Sequence, residues 1–209
     1  MNFYDRHILP HLINWGCGQQ AMTDMRLRIV PRAQGRVLEI GVGSGLNLMH
    51  YDAGKVESVT GIDPSQELLT LAEPRAAAAP FPVKLLAESA EKIALPAQSF
   101  DSVVITLTLC SIPDVGAALA EMHRLLKLDG KLYFSEHGRS PDTNINRWQD
   151  RLNPLWGKIA GGCNLNRRID ESIRRAGFRI DEIDTGYMPG IPLKIASYLY
   201  AGVAAPRRE

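Results

Sequence analysis

Cysteine is scarce in this sequence. There are three in 209 residues, Cys17, Cys110 and Cys163, and no two of them form a C-x-x-C pair. That spacing indicates neither a zinc site nor a disulfide framework, so no metal is expected and a reduced, cytoplasmic setting is. Long hydrophobic runs are missing too; no stretch approaches the roughly 20 apolar residues that span a bilayer. The N-terminus lacks the basic flank, apolar run and small-residue cleavage site of a secretory leader. Nor is there an excess of one charge: Lys and Arg number 24 against 23 Asp and Glu, a formal net charge of +1. The doublets Arg167-Arg168, Arg174-Arg175 and Arg207-Arg208 are scattered, as on solvated helix faces and tails. A nucleic-acid partner calls for a concentrated basic surface, so none is expected. Peripheral membrane contact stays open, because Phe3, Ile8, Leu9, Leu12, Ile13 and Trp15 sit near the N-terminus.

What the chain does have is apolar runs rich in β-branched residues, alternating with helical patterns, and a length that suits one α/β domain over 1–209. Strands are predicted at Val37-Leu38-Glu39-Ile40, Val56 to Ile62, Val83 to Leu86, Val103 to Thr106 and Lys131 to Glu136. Phe178 to Ile183 and Ile195 to Ala201 follow as a final pair with antiparallel character. Ser65 is a good cap for a helix with Leu68, Leu69 and Ala72 on its apolar face, and Pro74 should break or kink it. A second helix begins near Pro113, with the stripe Val115, Leu119, Met122 and Leu126 at core-facing spacing. A third is expected from a cap at Asn166 to Gly177. Strand–helix alternation predicts a doubly wound, Rossmann-like, seven-stranded sheet, mostly parallel, with an antiparallel final strand. Residues 1–30 read as helical cover, 34–137 as the ligand-binding core, and 138–166 as an irregular insertion on the substrate side.

The chemistry starts at Gly41-Val42-Gly43-Ser44-Gly45, after the first strand. Glycines at two-residue spacing let the backbone turn sharply and approach a ligand without a Cβ in the way. Asp63 ends the second strand 22 residues after Gly41, where a carboxylate accepts hydrogen bonds from ribose hydroxyls. On these features alone the ligand is either a nicotinamide dinucleotide or S-adenosylmethionine.

The sequence from Val37 to Gly45 resembles the first motif of class I S-adenosylmethionine-dependent methyltransferases, E/D-x-G-x-G-x-G. Matches to that family continue in order with Gly61 to Ser65, Glu88 to Glu91 ahead of Leu95-Pro96, Ser99-Phe100-Asp101, and Leu125 to Leu132. A narrower resemblance covers nearly the whole chain. Thr108 to Ile112, Glu136-His137-Gly138 and Gly161 to Leu165 are similar to the methyltransferase-like branch of animal thiol S-methyltransferases and their bacterial relatives. That branch commonly has His where Asn164 stands, and some bacterial relatives are labelled phospholipid N-methyltransferases.

The resemblance implies S-adenosylmethionine as cofactor. Glu39 would face its methionine ammonium; Gly41, Gly43 and Gly45 would form the turn, and Asp63 and Pro64 the ribose side. Ser89, Ala90 and Glu91 would lie beside the adenine, and Thr106 and Leu107 would border the transferable methyl. Tyr4, Cys110 and Trp148 are candidates for the acceptor side, although ordinary packing explains each as well. His137 closes the fifth strand as a pocket wall or a base, whereas His7 and His11 lack a third ligand and read as surface residues. The expected acceptor is a small molecule, most simply a thiol or sulfide methylated at sulfur; a phospholipid headgroup amine and a nicotinamide-dependent oxidation are the alternatives.

Overall fold

The computed structural model describes residues 11, 14 and 17–207. Tyr4, His7 and the apolar residues from Phe3 to Trp15 lie outside them. Seven strands form one sheet: β1 (Gly35–Ile40), β2 (Val56–Ile62), β3 (Val83–Leu86), β4 (Phe100–Thr106), β5 (Leu126–His137), β6 (Phe178–Tyr187) and β7 (Tyr198–Pro206). Their order is β3-β2-β1-β4-β5-β7-β6. Strands β1 to β5 pair in parallel, and β7 runs antiparallel to both β5 and β6. The helices are α1 (Gln20–Ile29), α2 (Gln66–Ala78), α3 (Val115–Leu125), α4 (Thr143–Ile159) and α5 (Ile169–Arg175).

Both faces of the sheet are buried, because successive residues of a strand point to opposite sides. Leu38, Val103, Ile105, Leu132 and Phe134 enter a core shared with Leu119 and Met122 of α3 and Ile173 of α5. Their neighbours Val37, Val104 and Tyr133 join Met25 and Ile29 of α1 on the other face. No helix among the described residues is long and apolar enough to cross a membrane.

Four local expectations fail for identifiable reasons. Helix α2 runs through Pro74 without a break. The missing N–H would have served the Thr70 carbonyl, but both residues are exposed, so that carbonyl meets water. Leu126 is buried as expected, yet it opens β5 because the chain passes directly from helix to strand at Leu125. Asn166 caps no helix; α5 starts at Ile169, and the Asn166 side chain instead donates to Asp150 Oδ1 at 2.8 Å. The insertion is not irregular, since α4 supplies 17 of its residues. Asp142 caps α4 by accepting from Asn144 N at 2.9 Å and Ile145 N at 3.4 Å. The one buried residue of α4 is Gln149, whose amide bonds Ser140 N, Gly138 O and Ile195 O at 2.9–3.0 Å. The apolar residues of α4, Ile145, Trp148, Leu152, Leu155 and Ile159, recur at spacings of three and four, but Trp148, Leu155 and Ile159 are exposed, and the buried contact is the Gln149 amide.

Candidate active site

The sheet order reverses between β1 and β4, and in an open α/β sheet a ligand crevice lies beyond the strand ends at that point. A cavity of about 700 Å³ occupies it. The turn after β1 forms its floor, with Gly41 N and Val42 N bonded to Ile62 O at 2.9 and 3.0 Å. Gly43 has φ +52°, and a Cβ there would meet no heavy atom closer than Gly41 O at 4.0 Å. The space over Gly43 is therefore open, and left-handed backbone keeps it so. Gly41 lines the cavity, but its lack of a side chain is explained by Thr108, which occupies the Cβ position. Gly45 does not line the cavity; it packs against Ala72 and Leu48 and serves the turn alone.

Two carboxylates border that turn. Asp63 accepts from Gly43 N at 3.0 Å and Ser65 N at 2.9 Å, which fixes its head at the cavity wall. Burial raises its pKa, partly offset by those two bonds. Glu39 is 1% exposed. It accepts from Tyr51 Oη at 2.8 Å and Asn47 Nδ2 at 2.9 Å. Desolvation pushes its pKa up to about 7 against the pull of those donors and of Arg26. Asn47 Oδ1 is buried without a protein partner. This acceptor-rich corner, with one weakly held carboxylate and one orphaned carbonyl oxygen, fits an ammonium group.

Pro64, Ser89, Ala90 and Glu91 form another side of the same cavity. Glu91 is tied down: it accepts from Ser89 Oγ at 2.8 Å and from Asp114 N at 2.7 Å. Thr106 and Leu107 continue the wall from the end of β4, with Thr106 Oγ1 accepting from Asn47 Nδ2 at 3.0 Å. Leu107 has φ +52°, an uncommon conformation for a branched side chain that marks a tightly specified turn. Trp148, expected on the acceptor side, is 52% exposed and outside the cavity, with Arg151 stacked over its ring. Gln149 takes the buried position at that level of the helix, and further along Trp156 and Ile159 reach the cavity instead. Tyr4 lies outside the described residues.

Sequence reasoning missed the convergence of all three cysteines on this one cavity. Cys110 Sγ, Cys163 Sγ and a ring nitrogen of His137 lie within 4.8 Å of one another, although their spacing in sequence indicated no shared site. His137 Nε2 is 3.1 Å from Cys163 Sγ. Cys163 is held below the usual thiol range by Cys110, then His137, against desolvation. Cys110 is correspondingly pushed up by its bond to Cys163 and by burial. Desolvation lowers the His137 pKa, but the bond to Cys163 and the charges of Cys163 and Glu136 win and raise it. Cys163 Sγ thus sits between Cys110 Sγ and the His137 ring. The backbone fixes it: Asn164 N and Nδ2 both donate to Cys110 O, at 2.8 and 3.0 Å, and Glu136 accepts from Thr108 N at 2.8 and 3.0 Å. Arg26, Met22 and Cys17 complete the wall under α1. The motif Gly161-Gly162-Cys163 was the one available signal for Cys163, and it needed the fold to be placed.

Residues 38–134 match the family described as methyltransferase domain. The chain is 34% identical over 154 residues to human thiol S-methyltransferase TMT1A, covering 71% of this chain and 62% of that protein. It is 36% identical over 105 residues to a phosphatidylethanolamine N-methyltransferase of Cereibacter sphaeroides, covering 49% and 51%. The fold resembles an S-adenosylmethionine-dependent methyltransferase structure from Methanosarcina mazei, with TM-score 0.67, 22% identity and coverage of 85% and 95%. The chain thus spans a little under two thirds of the length of the thiol S-methyltransferase it matches.

Proposed function

Because the chain belongs to the class I S-adenosylmethionine-dependent methyltransferases, we propose that it methylates a small thiol or sulfide at sulfur. The match over 38–134 decides between the two cofactor classes that a Gly-rich turn and Asp63 left open. Gly43, Asp63 and the Glu39–Asn47 corner are the residues that would hold the cofactor, and they fit it: open space over a glycine, a hydroxyl acceptor and an ammonium acceptor. When bound, S-adenosylmethionine supplies a methyl group already activated by its sulfonium.

The chain's own contribution is positioning and exclusion of water. Thr106 stands beside the Glu39 corner, sharing Asn47 Nδ2 with it, and Leu107, Trp156 and Ile159 line the same cavity. Holding donor and acceptor in line is worth up to roughly 7–11 kcal/mol in well-oriented systems. A thiol also needs a proton taken away, and His137 lines the same cavity as a candidate base, with its Nε2 3.1 Å from Cys163 Sγ. The observation that carries the thiol reading is that, among the described residues, the carboxylate beside His137 is not free. Glu136 is 0% exposed, and both its oxygens accept from Thr108 N, so neither is free to bond an amine acceptor. Similarity to the human thiol S-methyltransferase supports the same reading.

The test is incubation of the chain and cofactor with sulfide, methanethiol, 2-mercaptoethanol and phosphatidylethanolamine vesicles, with mass detection of products. Methylated thiols are expected. Turnover on the phospholipid alone would overturn the thiol acceptor and favour the kinship with the Cereibacter enzyme.

A further inference from the structure

We propose that Cys110, His137 and Cys163 form a binding site for a soft divalent cation of the zinc class, with its fourth position open to the cofactor cavity. Two sulfurs and an imidazole are the donor set that such ions select over magnesium or calcium. Three protein ligands with one open position is the composition of a catalytic zinc site, Cys₂His among them. Bonds of about 2.3 Å to sulfur and about 2.0–2.1 Å to nitrogen place tetrahedral ligand atoms about 3.5–3.8 Å apart. The three atoms here already lie within 4.8 Å, one pair at 3.1 Å, so closing on an ion needs only small side-chain shifts.

The surroundings favour the site in three further ways. Cys110 and Cys163 are held at fixed separation by the paired bonds from Asn164 to Cys110 O, so the cation meets an ordered site. His137 Nδ1 is buried without a partner, leaving Nε2 as the nitrogen turned towards sulfur. Two thiolates and a neutral imidazole around a divalent ion sum to zero charge, which suits a buried place beside Arg167. Binding displaces the protons now shared within the cluster to solvent.

The open position deepens the reading of the chain as a thiol methyltransferase and for that part rests on it. A thiol entering it loses its proton to solvent and is held as a metal thiolate. Transfer then forms the new S–CH₃ bond and breaks the cofactor's S–CH₃ bond, whose electron pair stays on the cofactor's sulfur.

The experiment uses untagged, reduced, chelator-stripped protein titrated with Co²⁺, followed by displacement with Zn²⁺. Stoichiometric binding is expected, with the thiolate-to-cobalt band and the visible bands of a tetrahedral site, bleached by Zn²⁺. The bands should be lost in Cys163→Ala and in Cys110→Ala, with near-wild-type binding of S-adenosylhomocysteine showing that each variant is folded. A wild-type titration without the sulfur band overturns the site, whatever the variants do. So does a spectrum unchanged in both cysteine variants. Methyl-transfer assays on the same samples separate the two ideas. Thiol turnover untouched by stripping, with no cobalt spectrum, sinks the metal and spares the thiol; a cobalt spectrum without thiol turnover does the reverse.

Discussion

At the scale of single residues, the proposed cofactor site would depend on two positions whose chemistry is distinct. Asp63 holds the turn by accepting from Gly43 N and Ser65 N, and it faces the cavity. Asp63→Ala should weaken S-adenosylhomocysteine binding by about 1.5–3 kcal/mol, the range for hydrogen bonds to a charged group. Calorimetry showing the affinity of the unaltered chain would remove Asp63 from the ribose site. Gly43 acts through space and backbone. Valine there fills the opening over the turn and forces a β-branched residue to φ +52°, a strain of about 1–2 kcal/mol. Gly43→Val should therefore stay folded with a lowered melting temperature and lose cofactor binding; retained binding would show that the ligand sits elsewhere.

At the scale of elements, α4 is a separable wall. It is held by the Asp142 cap and the Gln149 amide, and its inner end carries Trp156 and Ile159 to the cavity. Losing an N-cap carboxylate costs about 0.5–2 kcal/mol. Asp142→Ala should thus raise the acceptor KM while leaving S-adenosylhomocysteine affinity within about twofold, since the Gly43, Asp63 and Glu39 positions belong to β1, β2 and the turns after them. Equal losses for cofactor and acceptor would show that α4 is not confined to the acceptor side.

At the scale of the whole molecule, one cavity couples ligand binding to protonation and to stability. The Glu39 pKa of about 7 is raised above its ordinary 4.5 by burial. A raised carboxyl contributes stability that is fully present below pH 4.5 and is lost as pH rises through about 7. Glu136, also raised to about 7, acts in the same direction. An ammonium beside Glu39 favours the ionised form. Cofactor affinity should therefore fall as pH drops below about 7, by up to about tenfold per unit, and the slope should vanish in Glu39→Gln. Equal affinity at pH 6 and pH 8 would place the ammonium away from Glu39. Saturating S-adenosylhomocysteine at about 100 times its Kd adds about 2.7 kcal/mol, or about 5–10 °C of melting temperature for a chain of this size, while NADH should add none.

The amino-acid sequence by itself determined the sheet and its cofactor end. Both are written in local terms: apolar runs rich in β-branched residues, a Gly-rich turn with fixed spacing, and an acid closing the next strand. β2 and β3 fall where the apolar runs predict them, and Ser65 caps α2 by accepting from Leu68 N at 3.2 Å. Only the tertiary structure decided the acceptor end, because nothing local encodes it. Helix α4 carries the apolar residues Ile145, Trp148, Leu152, Leu155 and Ile159 at helical spacing, yet its buried contact is Gln149, so periodicity pointed to the wrong inward face and did not show Trp148 in solvent and Trp156 at the cavity. Cys110, His137 and Cys163 come from the turn after β4, the end of β5 and the segment after α4. Parallel strands ending side by side bring Cys110 and His137 together, and the bonds from Asn164 to Cys110 O bring Cys163 to them, which spacing along the chain does not record.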